Sequence, residues 1–363
     1  MPAAIRLALV GYGHRGAYMF GLAVKGFEGI TPVGICDNNP ALLEKAKADF
    51  PGVAVFTDFD TMLAQVAPDA LLVETPATLH AEFCSKALGR NVHVMSDVPC
   101  VERVEEADLL WQAQLRSRAF YMIGANPNLW GFVEGAVDLR KQGVLGEPYY
   151  LEAEYIHDVR YLFAQTPWRA TYPPIKYCTH SLGPLLRLVD EDLEWVSCFD
   201  TGSHVNRAPG QHDAMAALFR TRTNVVVRLL CSFINNCPVE GHRYRVYGTK
   251  GYFERTTGYD GRGTARTLFY STEKGTPKAF TELPVQEMLP EYAGNPQAAG
   301  HGGADYALLD RFFQAIRGNQ PSPIDLRQAL RMTLPGLYAA ESARRGGELL
   351  RIRYPWSADG AVR

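Results

Sequence analysis

The chain lacks the marks of several large protein classes. No run of lysine and arginine is dense enough to track a phosphate backbone, and the formal charge is only −2 over 363 residues, so nucleic acid is not an expected partner. No stretch approaches the roughly 20 apolar residues that a bilayer span needs. The opening segment MPAAIRLALVGYG has no basic leader, and its apolar run leads straight into a glycine turn, so neither a membrane nor export is expected. The seven cysteines (Cys36, Cys84, Cys100, Cys178, Cys198, Cys231 and Cys237) are odd in number and widely spread, with no C-x-x-C among them. That argues against a disulfide frame or a structural zinc site and for reduced thiols in a cytoplasmic protein. The H-x-x-x-H, H-E-x-x-H and G-x-S-x-G patterns are absent. His157, His180 and His301 would have to converge from distant segments to hold a metal, so none is expected. The composition, 47% hydrophobic, suits two packed domains acting on small molecules.

What is present falls into two textures. Up to about residue 124, short apolar runs alternate with amphipathic segments: Ile5 to Val10, Val33 to Cys36, Val53 to Phe56, Ala70 to Val73, Asn91 to Met95 and Phe120 to Ile123, with helical stretches near 16–26, 40–49, 58–65, 78–88 and 102–117. This pattern predicts a doubly wound α/β domain with a parallel sheet covered on both faces. Beyond Asn126, alternating stretches such as YYLEAEYIH, DAMAALFRT, NVVVRLLCSF and HRYRVYGT predict a large, mostly antiparallel sheet in an α+β domain. Helices are expected near 129–142, 180–188, 304–317 and 326–345. The expected division is a dinucleotide-binding Rossmann domain over 1–124 and a substrate-binding and oligomerisation domain over 125–363, whose final helices can pack back on the first.

The segment ALVGYGHRGAYMFGLA sets Gly11, Gly13 and Gly16 between an apolar strand and a helix. Gly11 permits a tight turn, Gly13 lets the backbone approach a pyrophosphate, and Gly16 lets the helix pack on its strand. The phosphates then meet the unpaired N–H groups and positive dipole end of the helix. Asp37 closes the second strand, where a carboxylate accepts from the ribose hydroxyls and repels a 2′-phosphate. NAD is therefore the expected cofactor, although His14 and Arg15 lie close by and Arg15 can neutralise a phosphate. Two further strand ends should line the same crevice: Thr75 and Pro76, with His80 at the following helix, and Asp97 with Val98 and Pro99. His80 can equally be a positioning residue at a helix end.

These motifs, together with CDNN, the GTKG hairpin and HGGADYALLDRFFQAIRGNQPSPID, resemble the Gfo/Idh/MocA family of NAD(P)-dependent oxidoreductases over nearly the whole length. The resemblance implies sugar, inositol or polyol substrates and a homo-oligomer formed through the second domain's sheet. It also implies a departure. Many redox members hold Glu-Lys-Pro where this chain has Asp97-Val98-Pro99, and their lysine serves proton transfer, which Val98 cannot perform. Valine at that place is similar to the branch of NAD-dependent N-acetylgalactosaminidases. Tyr177, Thr179, His180, Leu182, Gly183 and Pro184 of YCTHSLGP, and His301, Gly302, Gly303 and Asp305 of HGGAD, resemble that branch as well. YMIGAN retains Asn126 but has Ala125 in place of the branch's acid.

The proton chemistry is thereby expected in the second domain. His180, with an ordinary pKa near 6.5, can accept a hydroxyl proton at neutral pH. Tyr177 starts near 10 and needs a cation such as Lys176 or Arg169 beside it to act as a base. His157 and Asp158 can contact substrate hydroxyls or each other, and Trp168 with Arg169 suits a sugar face. His301 and Asp305 share helical spacing, as substrate ligands or as a cap and a surface acid. Asn126 is expected to position the nicotinamide or the substrate.

Three functions follow. The first is an NAD-dependent oxidoreductase moving a hydride to or from a secondary hydroxyl of a sugar, glycoside or polyol. The second is a redox-neutral glycosidase that oxidises, eliminates, hydrates and reduces without the carboxylate pair of ordinary glycoside hydrolysis. The third is a nucleotide-binding protein without turnover.

Overall fold

The computed structural model describes residues 4–164, 166–237, 241–257, 265–275, 277–285, 287–298 and 300–357. They form two compact units: Met1–Asn126 with Glu291–Leu330, and Pro127–Pro290 with Arg331–Arg363.

The first unit begins β1 (Ile5–Val10), α1 (His14–Gly26), β2 (Ile30–Cys36), α2 (Pro40–Asp49), β3 (Ala54–Phe56), α3 (Phe59–Val66) and β4 (Ala70–Val73). It continues α4 (His80–Gly89), β5 (His93–Ser96), α5 (Val104–Arg116) and β6 (Tyr121–Ile123). All strand pairs are parallel, in the order β3-β2-β1-β4-β5-β6. Strands covered on both faces must be apolar throughout, and Leu7 to Val10 and Ala70 to Val73 are all buried. The strand order reverses between β1 and β4, which opens a ligand crevice at their carboxyl ends. Local signals set the helix starts: Asn39 accepts from the Ala41 N–H ahead of Pro40, and Asp58 caps α3 through the Thr61 N–H.

The second unit holds α6 (Gly131–Lys141), β7 (Pro148–Ile156), α7 (Thr179–Leu186), β8 (Leu193–Asp200), β9 (Met215–Thr221), β10 (Val226–Ser232) and β11 (Tyr244–Gly248). β12 (Gly251–Arg255), β13 (Thr267–Ser271) and β14 (Thr281–Leu283) follow. Back in the first unit lies α8 (Ala304–Gly318), then α9 (Leu326–Arg344), through which the division passes, and finally β15 (Leu350–Arg351) in the second. The nine-stranded sheet has the order β14-β13-β12-β11-β7-β10-β9-β8-β15. Its strands pair antiparallel except β7 with β10, and β9 alternates buried and exposed residues along its length as a one-sided strand must. The architecture is the one the sequence predicts. The short strands β14 and β15, and the 3₁₀ turns between Arg160 and Tyr177, were not expected: segments this short carry no periodicity to read.

In the first unit α8 packs its aromatic face against the loop after α1. Phe27 stacks on Tyr306 with ring centroids 4.4 Å apart and meets Phe313 edge-on at 5.3 Å. These rings anchor the start of α8, and with it Asp305, in the nucleotide unit. Among the described residues no helix is long and apolar enough to cross a membrane.

Candidate active site

The glycine turn has the shape a dinucleotide needs. Gly11 adopts φ +92°, and a Cβ there would stand 2.5 Å from the Glu74 carbonyl oxygen, so only glycine fits. A Cβ on Gly16 would meet the Gly11 carbonyl oxygen at 1.9 Å, a measure of how closely α1 rides on β1. Gly13 forms the N-cap of α1 without a side-chain cap, and nothing lies within 4 Å of its absent Cβ. The first-turn N–H groups of α1 are thus not capped by a side chain. Asp37 accepts from the Tyr12 N–H at 2.7 Å and the Asn39 N–H at 2.8 Å, which fixes its carboxylate at the end of β2. Each oxygen keeps a further lone pair for a ribose hydroxyl.

Around the turn lies a charged cluster that only the fold brings together. Arg15 donates from Nη1 and Nη2 to the two oxygens of Asp305 at 2.9 and 2.8 Å. His301 Nδ1 lies 2.8 Å from Asp305 Oδ2, and Asn126 Nδ2 donates to Oδ1 at 3.2 Å. Burial alone would raise the Asp305 carboxyl, yet the hydrogen bonds from His301 and Arg15 hold it well below the ordinary carboxylate range. Asp305 is therefore not a surface acid; its side chain is wholly buried. Arg15, engaged in this fork, has one partner already and is less free for a 2′-phosphate than its sequence position suggests. The loop before α8 carries Gly300, His301, Gly302 and Gly303 all at positive φ, a path that suits glycine. His301 follows it at φ +45° with its side chain half exposed.

His80 is buried, with Nδ1 2.7 Å from the Pro99 carbonyl oxygen and Nε2 2.7 Å from that of Thr75. A carbonyl oxygen only accepts, so the ring N–H of His80 serves one of the two, and the buried ring sits between the ends of β4 and β5. Thr75 and Asp97 are half-buried at those strand ends, and Pro76 and His14 are exposed.

In the second unit, Tyr155 near the end of β7 is the hub of a ring cluster. Its ring centroid lies 5.5 Å from Tyr177, 5.6 Å from His180, 5.0 Å from His242 and 5.9 Å from His157. Tyr155 Oη and His157 Nδ1 share a hydrogen bond of 3.1 Å. Tyr177 and His180 meet at 4.9 Å, as one helical turn requires. Arg169 holds its guanidinium carbon 4.6 Å from the centre of the Trp168 ring and 5.8 Å from that of Tyr177, a cation over both ring faces. Successive residues in extended chain point apart, so His157 joins Tyr155 while Asp158 takes Arg160, whose Nε donates at 2.9 and 3.1 Å. The Arg160 hydrogen bond holds the Asp158 carboxyl below its usual range.

Family models match both parts of the chain: an oxidoreductase family with an NAD-binding Rossmann fold over residues 5–125, and a GFO/IDH/MocA C-terminal domain over 134–254. The two together cover more than half of it. The chain belongs to the Gfo/Idh/MocA family. It is an NAD-dependent enzyme of that family. It is 29% identical over 372 residues to the glycosyl hydrolase family 109 protein 1 of Akkermansia muciniphila, across 87% of this chain and 74% of that protein. To a glycosyl hydrolase family 109 protein of Saccharopolyspora erythraea it is 24% identical over 379 residues, across 94% and 81%. Among solved structures, an inositol dehydrogenase homolog from Azotobacter vinelandii, complexed with NADH and myo-inositol, shares the fold. Its TM-score is 0.78 at 20% identity, over 96% of this chain and 98% of that one.

In this Gfo/Idh/MocA enzyme Val98 is buried and proton-inert. The described residues contain no group of three or more His, Cys, Asp or Glu side chains placed to hold a metal ion. Sequence reasoning missed Tyr155, His242 and Glu74. For Tyr155 the signal was present, because E-Y-I-H places it two residues before His157 on the same face of a strand.

Proposed function

We propose that this enzyme is a redox-neutral, NAD-dependent glycosidase. The observation that carries the reading is the Tyr155-centred cluster, in which Tyr177, His180 and His157 all meet the Tyr155 ring in the second unit; the family resemblance adds that Val98 stands where redox members hold a lysine. The glycosyl hydrolase family 109 relatives support it.

NAD, when bound, takes a hydride from a sugar carbon and later gives it back. Gly11, Gly13 and Gly16 cradle the pyrophosphate at α1, with His14 and Arg15 beside it, and Asp37 accepts from the adenosine ribose hydroxyls. Thr75, Pro76, Asp97 and Asn126 shape the nicotinamide half. His180 accepts the proton of the sugar's third hydroxyl as that carbon becomes a ketone. The ketone acidifies the hydrogen on carbon 2, and Tyr177, beside the Arg169 cation, removes it, so that the bond from carbon 1 to the aglycone oxygen breaks by elimination. His157, hydrogen-bonded to Tyr155, can supply the proton the leaving oxygen takes. Water then adds its hydroxyl to carbon 1 and returns a proton to His157, Tyr177 returns its proton to carbon 2, and His180 returns its proton to the oxygen at carbon 3 as the hydride comes back and the ketone becomes an alcohol again. Trp168 offers its exposed ring to a sugar face, and Asp158, His301 and Asp305 are further candidates for holding hydroxyls or the groups that do.

The test is a panel of nitrophenyl glycosides with NAD+ present, following phenol and the cofactor's absorbance separately. Phenol release with no net NADH is expected. Stoichiometric NADH from a free sugar or polyol, without phenol release, would favour net hydride transfer, the reading suggested by the inositol dehydrogenase homolog that binds NADH and myo-inositol.

The cofactor side has its own check. Asp37→Ala is expected to weaken NAD+ roughly tenfold, as loss of one or two hydrogen bonds to a charged acceptor implies. Calorimetric titration measures it, and an unchanged Kd would remove Asp37 from the ribose site.

A further inference from the structure

The first unit gathers carboxylates where the second half of a dinucleotide falls. In a doubly wound sheet the two mononucleotides lie on either side of the point where strand order reverses. Asp37, after β2, marks the adenosine side; the nicotinamide side is then over the ends of β4 and β5. Glu74 directly follows β4 and Asp97 directly follows β5. Asp305, in the first turn of α8, joins them through Arg15.

Three carboxylates here share one guanidinium. Arg15 is committed to Asp305 by two hydrogen bonds, and its Nε stands 3.9 Å from Glu74 Oε2, beyond hydrogen-bond reach. Asp97 acts electrostatically on both Glu74 and Arg15. His301 adds an imidazole on the far oxygen of Asp305, with its own ring half exposed. Two oxygens of the cluster are buried without a hydrogen-bond partner: Glu74 Oε2, on a side chain 3% exposed, and Asn126 Oδ1, on a residue 2% exposed. Leaving such atoms unpaired is costly, and a cation close by offsets that cost.

We propose that Glu74, Asp97 and Asn126 Oδ1 make the first unit selective for the oxidised cofactor, so that NAD+, whose nicotinamide ring is cationic, binds more tightly than NADH, whose ring is neutral. The use of this bias rests on the redox-neutral reading, in which every turnover ends with NAD+ bound; the affinity difference itself does not. An enzyme that returns its hydride stays loaded in the competent form.

Glu74 has a distinct part. Burial first, and then the Asp97 charge, push its carboxyl well above the ordinary carboxylate range; Arg15 opposes them and Asp305 adds to them. These are the charged groups facing it from α1, from the end of β5 and from α8. A cationic ring nearby favours loss of the Glu74 proton, so the preference for NAD+ should strengthen as pH rises.

Fluorescence or calorimetric titration of the purified full chain with NAD+ and with NADH, over a series of pH values across the range in which the protein stays folded and without sugar, measures the ratio of the two Kd values. Any interaction that both forms make equally cancels in that ratio. The wild type is expected to favour NAD+ by about tenfold, the scale of one partly screened charge interaction. Asp97→Asn should bring the ratio down severalfold toward one. Glu74→Gln should abolish its rise with pH, even where Asp97→Asn folds poorly. A wild type that binds NADH as tightly as NAD+ would overturn the proposal, as would a ratio unmoved by Asp97→Asn or a rise that persists in Glu74→Gln. No turnover enters the measurement, so an enzyme that cleaves no glycoside would leave it standing, and failure here would leave phenol release untouched.

Discussion

Tyr177→Phe lowers kcat for release of an aryl glycoside by roughly 10²- to 10⁴-fold, the usual share of a positioned general base. Phenylalanine keeps the ring that Tyr155, His180 and Phe233 meet at 5.5, 4.9 and 5.7 Å, and that lies beneath the Arg169 guanidinium at 5.8 Å. Only the hydroxyl is removed, so the variant should fold as the parent does and bind NAD+ with unchanged affinity. His180→Asn should fall by a similar factor, because the two act on successive protons of one reaction. Combining them should cost far less than the product of the single losses. A double variant with full activity would remove both residues from the chemistry.

Asp305→Ala should lower the stability of the cofactor-free protein by about 3–5 kcal/mol, the cost of leaving a buried charge without its partner. The stranded group is Arg15, whose guanidinium meets both Asp305 oxygens. A guanidinium keeps its proton in a protein even without those hydrogen bonds, so Arg15 cannot shed its charge to escape. Replacing both partners by leucine should restore much of the loss, since two well-packed apolar side chains need no counter-charge. The pH dependence has a definite sign. Because the folded Asp305 carboxyl lies below its unfolded value, its contribution is fully present above the ordinary carboxylate range and disappears as acidification passes through the folded value. Urea unfolding at pH 7 and in acid should show the gap between wild type and Asp305→Ala narrowing as pH falls. A constant gap would mean that the ion pair is not what stabilises this corner.

The nucleotide unit was legible because its physics is local. Strands buried on both faces must be apolar, and the glycine turn and the acid after β2 lie within a few residues of what they control. The Arg15 and Asp305 fork was not legible, since its partners are 290 residues apart and neither position advertises the other. Glu74 hid in the apolar run ALLVE, where an acid reads as the end of a strand. The motif places His80 beside the crevice, but nothing in it announces that the Pro99 and Thr75 carbonyl oxygens lie 2.7 Å from its two ring nitrogens. In the second unit the motif YCTHSLGP pointed to Tyr177 and His180. The hub of their cluster, Tyr155, was one tyrosine among 18 until the fold set it against both.

The central claim is that the cofactor's hydride comes home and that carbon 2 of the sugar loses its hydrogen on the way. Hydrolysis of a nitrophenyl glycoside in D2O, followed by proton NMR and mass analysis of the released sugar, measures that loss directly. The account predicts deuterium at carbon 2, the original hydrogen retained at carbon 3, and no accumulation of NADH. Sugar released with its carbon 2 hydrogen intact would contradict it.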